Sequence, residues 1–372
     1  MKSIDMRRLA DNIENIAEYD FSNNKVFGSA YYVYSDGENF EKCYGNLSID
    51  SDKQVTNNTV FRLASMTKPI TAVASLVLSE RGRLSLDDSV DKFIPEFADI
   101  MIKDVTGNSV KPCKIPTVKD ILTHTSGIGC VPEKLNCMTS DDKLTHEAAI
   151  KFCLKNGLDF EPNSMQRYSG WMAFDVLTKI IEIVSQTDFL SFLKKEIFDV
   201  CGMFDTTFEP SDEQKSRMIT MHNKVDGKNA VGNTTEGCVF ENFPCNHYLG
   251  GAGLVSTLSD YSKFARMLLD NGKAENGRII KEDTIKQMYT PWVPKEIMNG
   301  NERWGLGVRV ISEDAYPTLP KGAYGWSGAY GSHFWIDPVN NICAVFMKNS
   351  RFDGGAANES ARNFEKAVYS SF

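Results

Sequence analysis

The sequence lacks several features, and each lack narrows the function. No C-x-x-C pair occurs among its nine cysteines, at 43, 113, 130, 137, 153, 201, 238, 245 and 343. The number is odd, and the two C-x6-C spacings, Cys130/Cys137 and Cys238/Cys245, match no metal-ligand pattern. Neither a metal nor a cofactor is expected, and unpaired thiols fit a reducing compartment. There is no H-E-x-x-H, no Walker loop, no G-x-G-x-x-G and no G-x-S-x-G; Ser327 has Gly325 two residues before it but Ala329 two residues after. No apolar run approaches the roughly 18 residues of a membrane span. In the opening MKSIDMRRLADNIENIAEYD, Asp5, Arg7, Arg8, Asp11 and Glu14 interrupt every candidate for the apolar core of a secretory signal. A soluble, cytoplasmic chain is the expectation. Positive charge is also short: the net charge is −8 and the pI about 5.3. Such a surface repels phosphate backbones and anionic lipid heads, so no nucleic-acid partner is expected.

What is present is ordinary globular material, 42% hydrophobic and 24% charged over 372 residues. Met6, Leu9, Ile13 and Ile16 form one face of an opening helix. The runs 26–34 and 38–45, joined at Asp36-Gly37, predict a β-hairpin. From about residue 85 to 250 helical signals dominate, among them the stripe Val176, Leu177, Ile180, Ile181, Val184 and the stripe Phe189, Phe192, Leu193, Ile197. Strand character returns at 332–337 and 341–348, and Ala361, Phe364 and Val368 mark a closing helix. Strands at both ends with helices between predict one antiparallel sheet built from both termini and flanked by helices, an α/β (α+β) fold. Residues 1–67 and 251–372 would form this sandwich. Residues 68–250 would form an inserted, mainly helical domain, with the active site between the two.

S-x-x-K occurs five times, starting at Ser22, Ser65, Ser89, Ser140 and Ser191, so the bare string says little. Only Ser65-Met66-Thr67-Lys68 sits between a short strand-like stretch (60–64) and a long apolar helix (69–78). Pro69 is tolerated only in a first helical turn, which puts the helix start near Ser65. Residues three apart share a helix face, so Lys68 can reach the Ser65 hydroxyl. Free N–H groups at that helix start suit a developing oxyanion. Burial would lower the lysine pKa and let it act as a base. Taken alone, the segment is equally well a helix-capping serine followed by a solvated lysine.

Further blocks decide between these readings. They are ILTHTSGI (121–128), the long run 168–208 opening on Tyr168-Ser169-Gly170, LGGAGLVSTLSDYSKFARMLLDNG (249–272), WGLGV (304–308) and GWSGAYGSHFWIDP (325–338). In this order they resemble the serine β-lactamase-like, penicillin-binding superfamily: class C β-lactamases, D-alanyl-D-alanine peptidases and family VIII carboxylesterases. The resemblance covers roughly residues 60 to 348. It implies an α/β sandwich with an all-helical insertion and a serine hydrolase that needs no cofactor. Ser65 would be the acylated nucleophile, Lys68 its base partner and Tyr168 the phenol that relays protons. The oxyanion N–H groups would be those of Ser65 and Ala329. Trp326-Ser327-Gly328 occupies the place of the family's Lys/His-Thr/Ser-Gly strand and, with Gly170, would contact substrate, Gly328 letting it lie close to the strand. His124 falls in a block where the family's histidine is structural. His247 is a weaker candidate for a cleft wall, and Asn349 and Arg351 are weaker still.

Two departures from the family pattern bear on substrate. The tyrosine motif ends in Gly170 where Asn is usual, and Trp326 replaces an ionisable residue that would favour a substrate carboxylate. Both favour neutral esters and resemble the esterase members. The expected partner is a small-molecule acyl substrate. A β-lactamase or D-amino-acid peptidase or amidase, an acyltransferase, and a penicillin-binding sensor that stays acylated remain as alternatives.

Overall fold

Asp36 and Gly37 both take positive φ, 49° and 99°. This is the turn that matches strand twist, and it closes a hairpin of β1 (Gly28–Ser35) and β2 (Glu38–Gly45). The computed structural model describes residues 3–104, 106–130, 145–225, 228–231, 248–299, 303–312, 318–353 and 355–372. His247, Cys137, Cys238, Cys245 and the S-x-x-K copy at Ser140 lie outside the described residues. The six described cysteines that are assigned a state, Cys43, Cys113, Cys130, Cys153, Cys201 and Cys343, are free thiols.

The remaining strands are β3 (Val60–Arg62), β4 (Val255–Thr257), β5 (Arg303–Trp304), β6 (Arg309–Val310), β7 (Tyr324–Ser327), β8 (His333–Asp337) and β9 (Ile342–Met347). The main sheet runs β5-β6-β7-β8-β9-β1-β2, with every pairing antiparallel. The N-terminal hairpin therefore joins the C-terminal strands at β1–β9, Ala30 facing Met347 and Ser35 facing Ile342. This is the expected sheet built from both termini.

Alternation along the strands splits the core in two. Tyr31, Val33, Trp335, Ala344 and Phe346 pack on α1 (Met6–Ser22) and the closing helix, with Leu9, Ile13, Phe364 and Val368 opposite them. Phe346 stacks on Tyr31 at 4.8 Å, and Phe364 meets Tyr31 edge-on at 5.2 Å. On the other face Ala30, Tyr32, Phe334, Ile336, Cys343 and Val345 meet Leu258–Leu269, whose Tyr261 lies edge-on to Phe334 at 5.2 Å. With helices on both sides, β8 and β9 are buried throughout, whereas β2 at the sheet edge is largely exposed and carries Glu38, Glu41 and Lys42. Charges there discourage pairing with another chain.

In order, the helices used below are α1, α2 (Thr67–Glu80), α3 (Met172–Ser185), α4 (Leu258–Leu269) and α5 (Glu359–Tyr369). Every residue of α2 from Thr67 to Leu78 is buried, as befits a helix apolar on all sides. The stripe from Phe189 to Ile197 is not one regular helix. It runs as Phe189–Leu193, widens into a π turn over Lys194–Phe198 and closes at Asp199–Cys201, with Ile197 and Phe198 both buried. Two short strand pairs, Ile102–Lys103 with Ser109–Val110 and His222–Val225 with Lys228–Val231, interrupt the otherwise helical middle.

Phe334 is wholly buried between β8 and α4. Phe334→Ala is expected to cost about 3–5 kcal/mol of unfolding free energy, read from urea denaturation; a loss below about 1 kcal/mol would show that this face carries little of the stability.

Candidate active site

Strand β3 delivers Ser65. It pairs with β4, Arg62 facing Val255, and the pairing continues as Leu63 N–H donates to Leu254 O at 2.9 Å. The chain then turns sharply. Ala64 has φ +46°, in the left-handed region that costs a non-glycine residue about 1–3 kcal/mol. A single 3-10 turn, Ala64–Met66, leads into α2. Ser65 is therefore in the turn and makes no capping bond; α2 begins two residues later, after Met66, with no side-chain cap. The helix-cap reading of Ser65 is removed by this geometry. The turn is held from three sides. Asn349 accepts from Arg62 N–H at 2.8 Å and donates to Arg62 O at 2.9 Å, Tyr261 OH donates to Met66 O at 2.9 Å, and Thr67 Oγ1 accepts from Leu254 N–H at 3.2 Å. Asn349 is thus a clamp on β3, and Arg351 is exposed.

Lys68, in the first turn of α2, is fully buried. Its Nζ stands 3.3 Å from Ser65 Oγ, donates to Gly251 O at 2.8 Å, and donates to Gly170 O. It also lies 4.9 Å from the ring centre of Tyr168 and 5.3 Å from that of Phe174. Burial pushes its pKa below the ordinary lysine value, with Tyr168 and Asp175 partly offsetting it. The solvated-lysine reading does not survive this burial.

Tyr168 is set in an irregular segment that backbone hydrogen bonds hold in place. Gln166 N–H bonds Ile297 O at 2.7 Å, Arg167 N–H bonds His124 O at 2.9 Å, and Ser169 N–H bonds His124 Nδ1 at 3.1 Å. Nδ1 is then an acceptor, and burial followed by the nearby Lys68 charge holds the His124 pKa well below its ordinary value. The imidazole is neutral and packs on Tyr168 at 4.6 Å and on Trp304 at 4.4 Å. Trp326 Nε1 donates to Tyr168 OH at 3.1 Å, and its ring meets Trp304 edge-on at 4.5 Å.

Ser65, Tyr168, Gly170 and Ala329 line one cavity of about 260 Å³, together with Arg62, Ala64, Trp171, Ala252, Gly253, Leu254 and Tyr330. Neither Ser65 N–H nor Ala329 N–H donates to a backbone carbonyl among the described residues. Gly170 has open space where a Cβ would project. Three expected contacts, Trp326, Ser327 and Gly328, are not among the residues that line the cavity. Ser327 turns away from the cavity, its Oγ 2.8 Å from His333 Nδ1 and almost fully buried, because β-strand alternation sends it to the opposite face from Trp326. At Gly328 a Cβ would lie 2.3 Å from Leu63 O and 2.4 Å from Ser332 Oγ, so the missing side chain lets the chain before Ser65 approach this strand. The sequence reading missed Tyr330, Trp171 and the Gly251 carbonyl; the Gly250-Gly251 pair in the 249–272 block was the available signal.

A serine hydroxyl beside a desolvated amine, with a phenol on the same cavity wall and two N–H groups that have no described backbone acceptor, can form and stabilise an acyl ester. The comparisons agree with that chemistry. Esterase EstB of Burkholderia gladioli is 23% identical over 381 residues, covering 95% of this chain and 93% of its own. The ML-236A carboxylate methylbutanoyltransferase of Penicillium citrinum is 24% identical over 369 residues, 89% of this chain and 87% of its own. Among solved structures, EstCE1, described as a hydrolase with promiscuous acyltransferase activity, superposes with a TM-score of 0.83 at 22% identity, covering 98% of this chain and 99% of its own, and shows the shared fold. The model of the Beta-lactamase family matches residues 9–367, nearly the whole chain, and the protein belongs to that family of serine hydrolases.

Proposed function

We propose that the protein is a carboxylesterase for small, neutral acyl esters that works through an acyl-Ser65 intermediate. The observation that carries this is the buried Lys68 amine nitrogen 3.3 Å from Ser65 Oγ, its neutral form favoured by burial, at a cavity whose wall holds Ser65, Tyr168 and Ala329. Ser65 Oγ attacks the ester carbonyl and its proton passes to the Lys68/Tyr168 pair. The oxyanion is held by the N–H groups of Ser65 and Ala329. Collapse breaks the bond to the alcohol oxygen, which takes a proton from the same pair. Water then attacks the acyl ester and releases the acid. Lys68 and Tyr168 are assigned jointly, since base assignment in relatives of this motif is disputed.

The walls support neutral, short acyl groups. The one N–H that Trp326 offers is already given to Tyr168 OH, so this side chain holds no donor for a substrate carboxylate. Trp171, Leu254 and Tyr330 are apolar walls, and about 260 Å³ lies near the small end of ligand pockets. Acyl transfer to an alcohol uses the same residues, and the names of the P. citrinum relative and of EstCE1 support it as a second reading.

Ser65→Ala should lower steady-state hydrolysis of p-nitrophenyl butyrate at least about 10³-fold. Equal rates in the two proteins would sink the assignment, and faster p-nitrophenol release on adding a primary alcohol, with ester as the new product, would favour transfer. Lys68 gives a separate expectation. Its native pKa lies below the ordinary value, so between the two the unfolded chain binds more protons and stability rises with pH. The stability of the wild type relative to Lys68→Met should therefore increase as pH rises towards the ordinary lysine value. Urea midpoints of both proteins at neutral and alkaline pH check it; a difference that is flat or falls with pH would contradict a desolvated Lys68.

A further inference from the structure

On the sheet face away from the cavity lies a second serine–histidine–carboxylate chain. Ser327 Oγ is 2.8 Å from His333 Nδ1, and His333 Nε2 is 2.9 Å from Glu365 Oε1 on α5. Ser327, His333 and Glu365 are 3%, 1% and 0% exposed, so substrate cannot reach them and this is no second nucleophilic centre. Glu365 also accepts from Thr318 and, at 3.3 Å, from Arg362 Nη1. Burial opposes its ionisation, but the hydrogen bond from His333, with Arg362 and Thr318 beside it, outweighs burial and holds it at about 2. A carboxylate only accepts, so His333 Nε2 carries a proton and Nδ1 is the atom that pairs with the Ser327 hydroxyl.

The position of this chain gives it a purpose. Ser327 and His333 are the facing residues that end the β7–β8 pairing. Between them runs Gly328-Ala329-Tyr330-Gly331-Ser332, closed by Gly328 N–H to Ser332 O at 2.8 Å. Ala329 and Tyr330 at its tip line the Ser65 cavity. The Ser327–His333 bond is thus a side-chain staple across the base of the hairpin, and Glu365 ties the staple to α5. An oxyanion donor must be placed to within a fraction of an ångström, and a hairpin tip without such a tie has more freedom than the rigid turn it faces.

We propose that Ser327, His333 and Glu365 are positioning residues that fix the Ala329 N–H over Ser65 from behind the sheet. The proposal rests on Ala329 N–H being an oxyanion donor, as in the esterase reading above. Its signature is a loss in kcat with little change in KM, and a dependence on the Ser327 link in particular. Asparagine at 333 puts an amide where Nδ1 was and can keep the bond to Ser327; glutamine reaches towards Glu365 and leaves Ser327 without a partner.

Kinetics of p-nitrophenyl butyrate hydrolysis on the full chain test this, with kcat referred to folded protein by near-ultraviolet circular dichroism. Ser327→Ala and His333→Gln are expected to lose about tenfold in kcat with KM within about twofold, while His333→Asn stays within about threefold of wild type in kcat. If His333→Gln does not fold, Ser327→Ala, which removes a single oxygen, decides. Wild-type kcat in Ser327→Ala overturns the proposal whatever its stability, as does equal damage from His333→Asn and His333→Gln, which marks mere packing. Ser65→Ala separates the two levels: dead Ser65→Ala with intact Ser327→Ala sinks only the positioning role, whereas active Ser65→Ala removes the site reading and this role with it.

Discussion

The site depends on one buried ammonium. Taking Lys68 out of water costs several kcal/mol unless its protons find acceptors. Two of its acceptors are backbone carbonyls, Gly170 and Gly251, and its third contact is the Ser65 hydroxyl. Those groups come from three separate stretches of chain, so the lysine can be accommodated only where all three converge. The convergence is tight. A Cβ at Gly250 would lie 2.0 Å from Thr178 Oγ1, and one at Gly251 would lie 2.9 Å from Trp171 Cα. The glycine pair at 250–251 fits the need to bring the Gly251 carbonyl to Nζ. The same burial that makes Lys68 costly to charge favours its neutral amine, the form that can take a proton from Ser65.

That requirement spreads to the strands. The nucleophile turn has a strained residue, Ala64, and strain persists only where surroundings over-determine it. Asn349 from the end of β9, Tyr261 from α4 and the Gly328 backbone from the β7–β8 hairpin all bear on the turn. Each comes from the C-terminal part of the chain, while Ser65 comes from the N-terminal part. The β3–β4 pairing and the Asn349 bonds to Arg62 are therefore what bring the two parts of the site together.

Much of this was legible in sequence because it has local grammar. The Asp36-Gly37 hairpin, the apolar helix behind Pro69 and the strands 332–337 and 341–348 each follow from periodicity or turn chemistry within a few residues. Ser65, Lys68 and Tyr168 were marked by blocks in a fixed order. What escaped depends on contacts far apart in the chain. Alternation could have sent Ser327 to the face away from Trp326, but nothing local shows which face the cavity is on. The partner of Gly328 is Leu63, some 265 residues earlier in the sequence, and no local pattern reports a carbonyl at that distance. The π turn at Lys194–Phe198 escaped because a 3.6-residue stripe and a slightly wider one look alike over nine residues.

Trp326 draws these strands of argument together. As a replacement for an ionisable residue it removes charge, and in the fold it does more. Its N–H is committed to Tyr168 OH, its ring stands edge-on to Trp304, and Trp304 in turn packs on neutral His124. Tyr168 thus has an aromatic, uncharged surround on one side and the Lys68 ammonium on the other. A cation in place of Trp326 would sit beside that ammonium in a poorly solvated space, disfavouring its charge further but also attracting substrate carboxylates. With tryptophan there, the cationic residues at the site are Lys68, whose protons are directed at Gly170, Gly251 and Ser65, and Arg62 on the cavity wall. On the esterase proposal, an anionic acyl group finds no cation at position 326, whereas a neutral ester asks only for N–H donors and the apolar surfaces of Trp171 and Leu254.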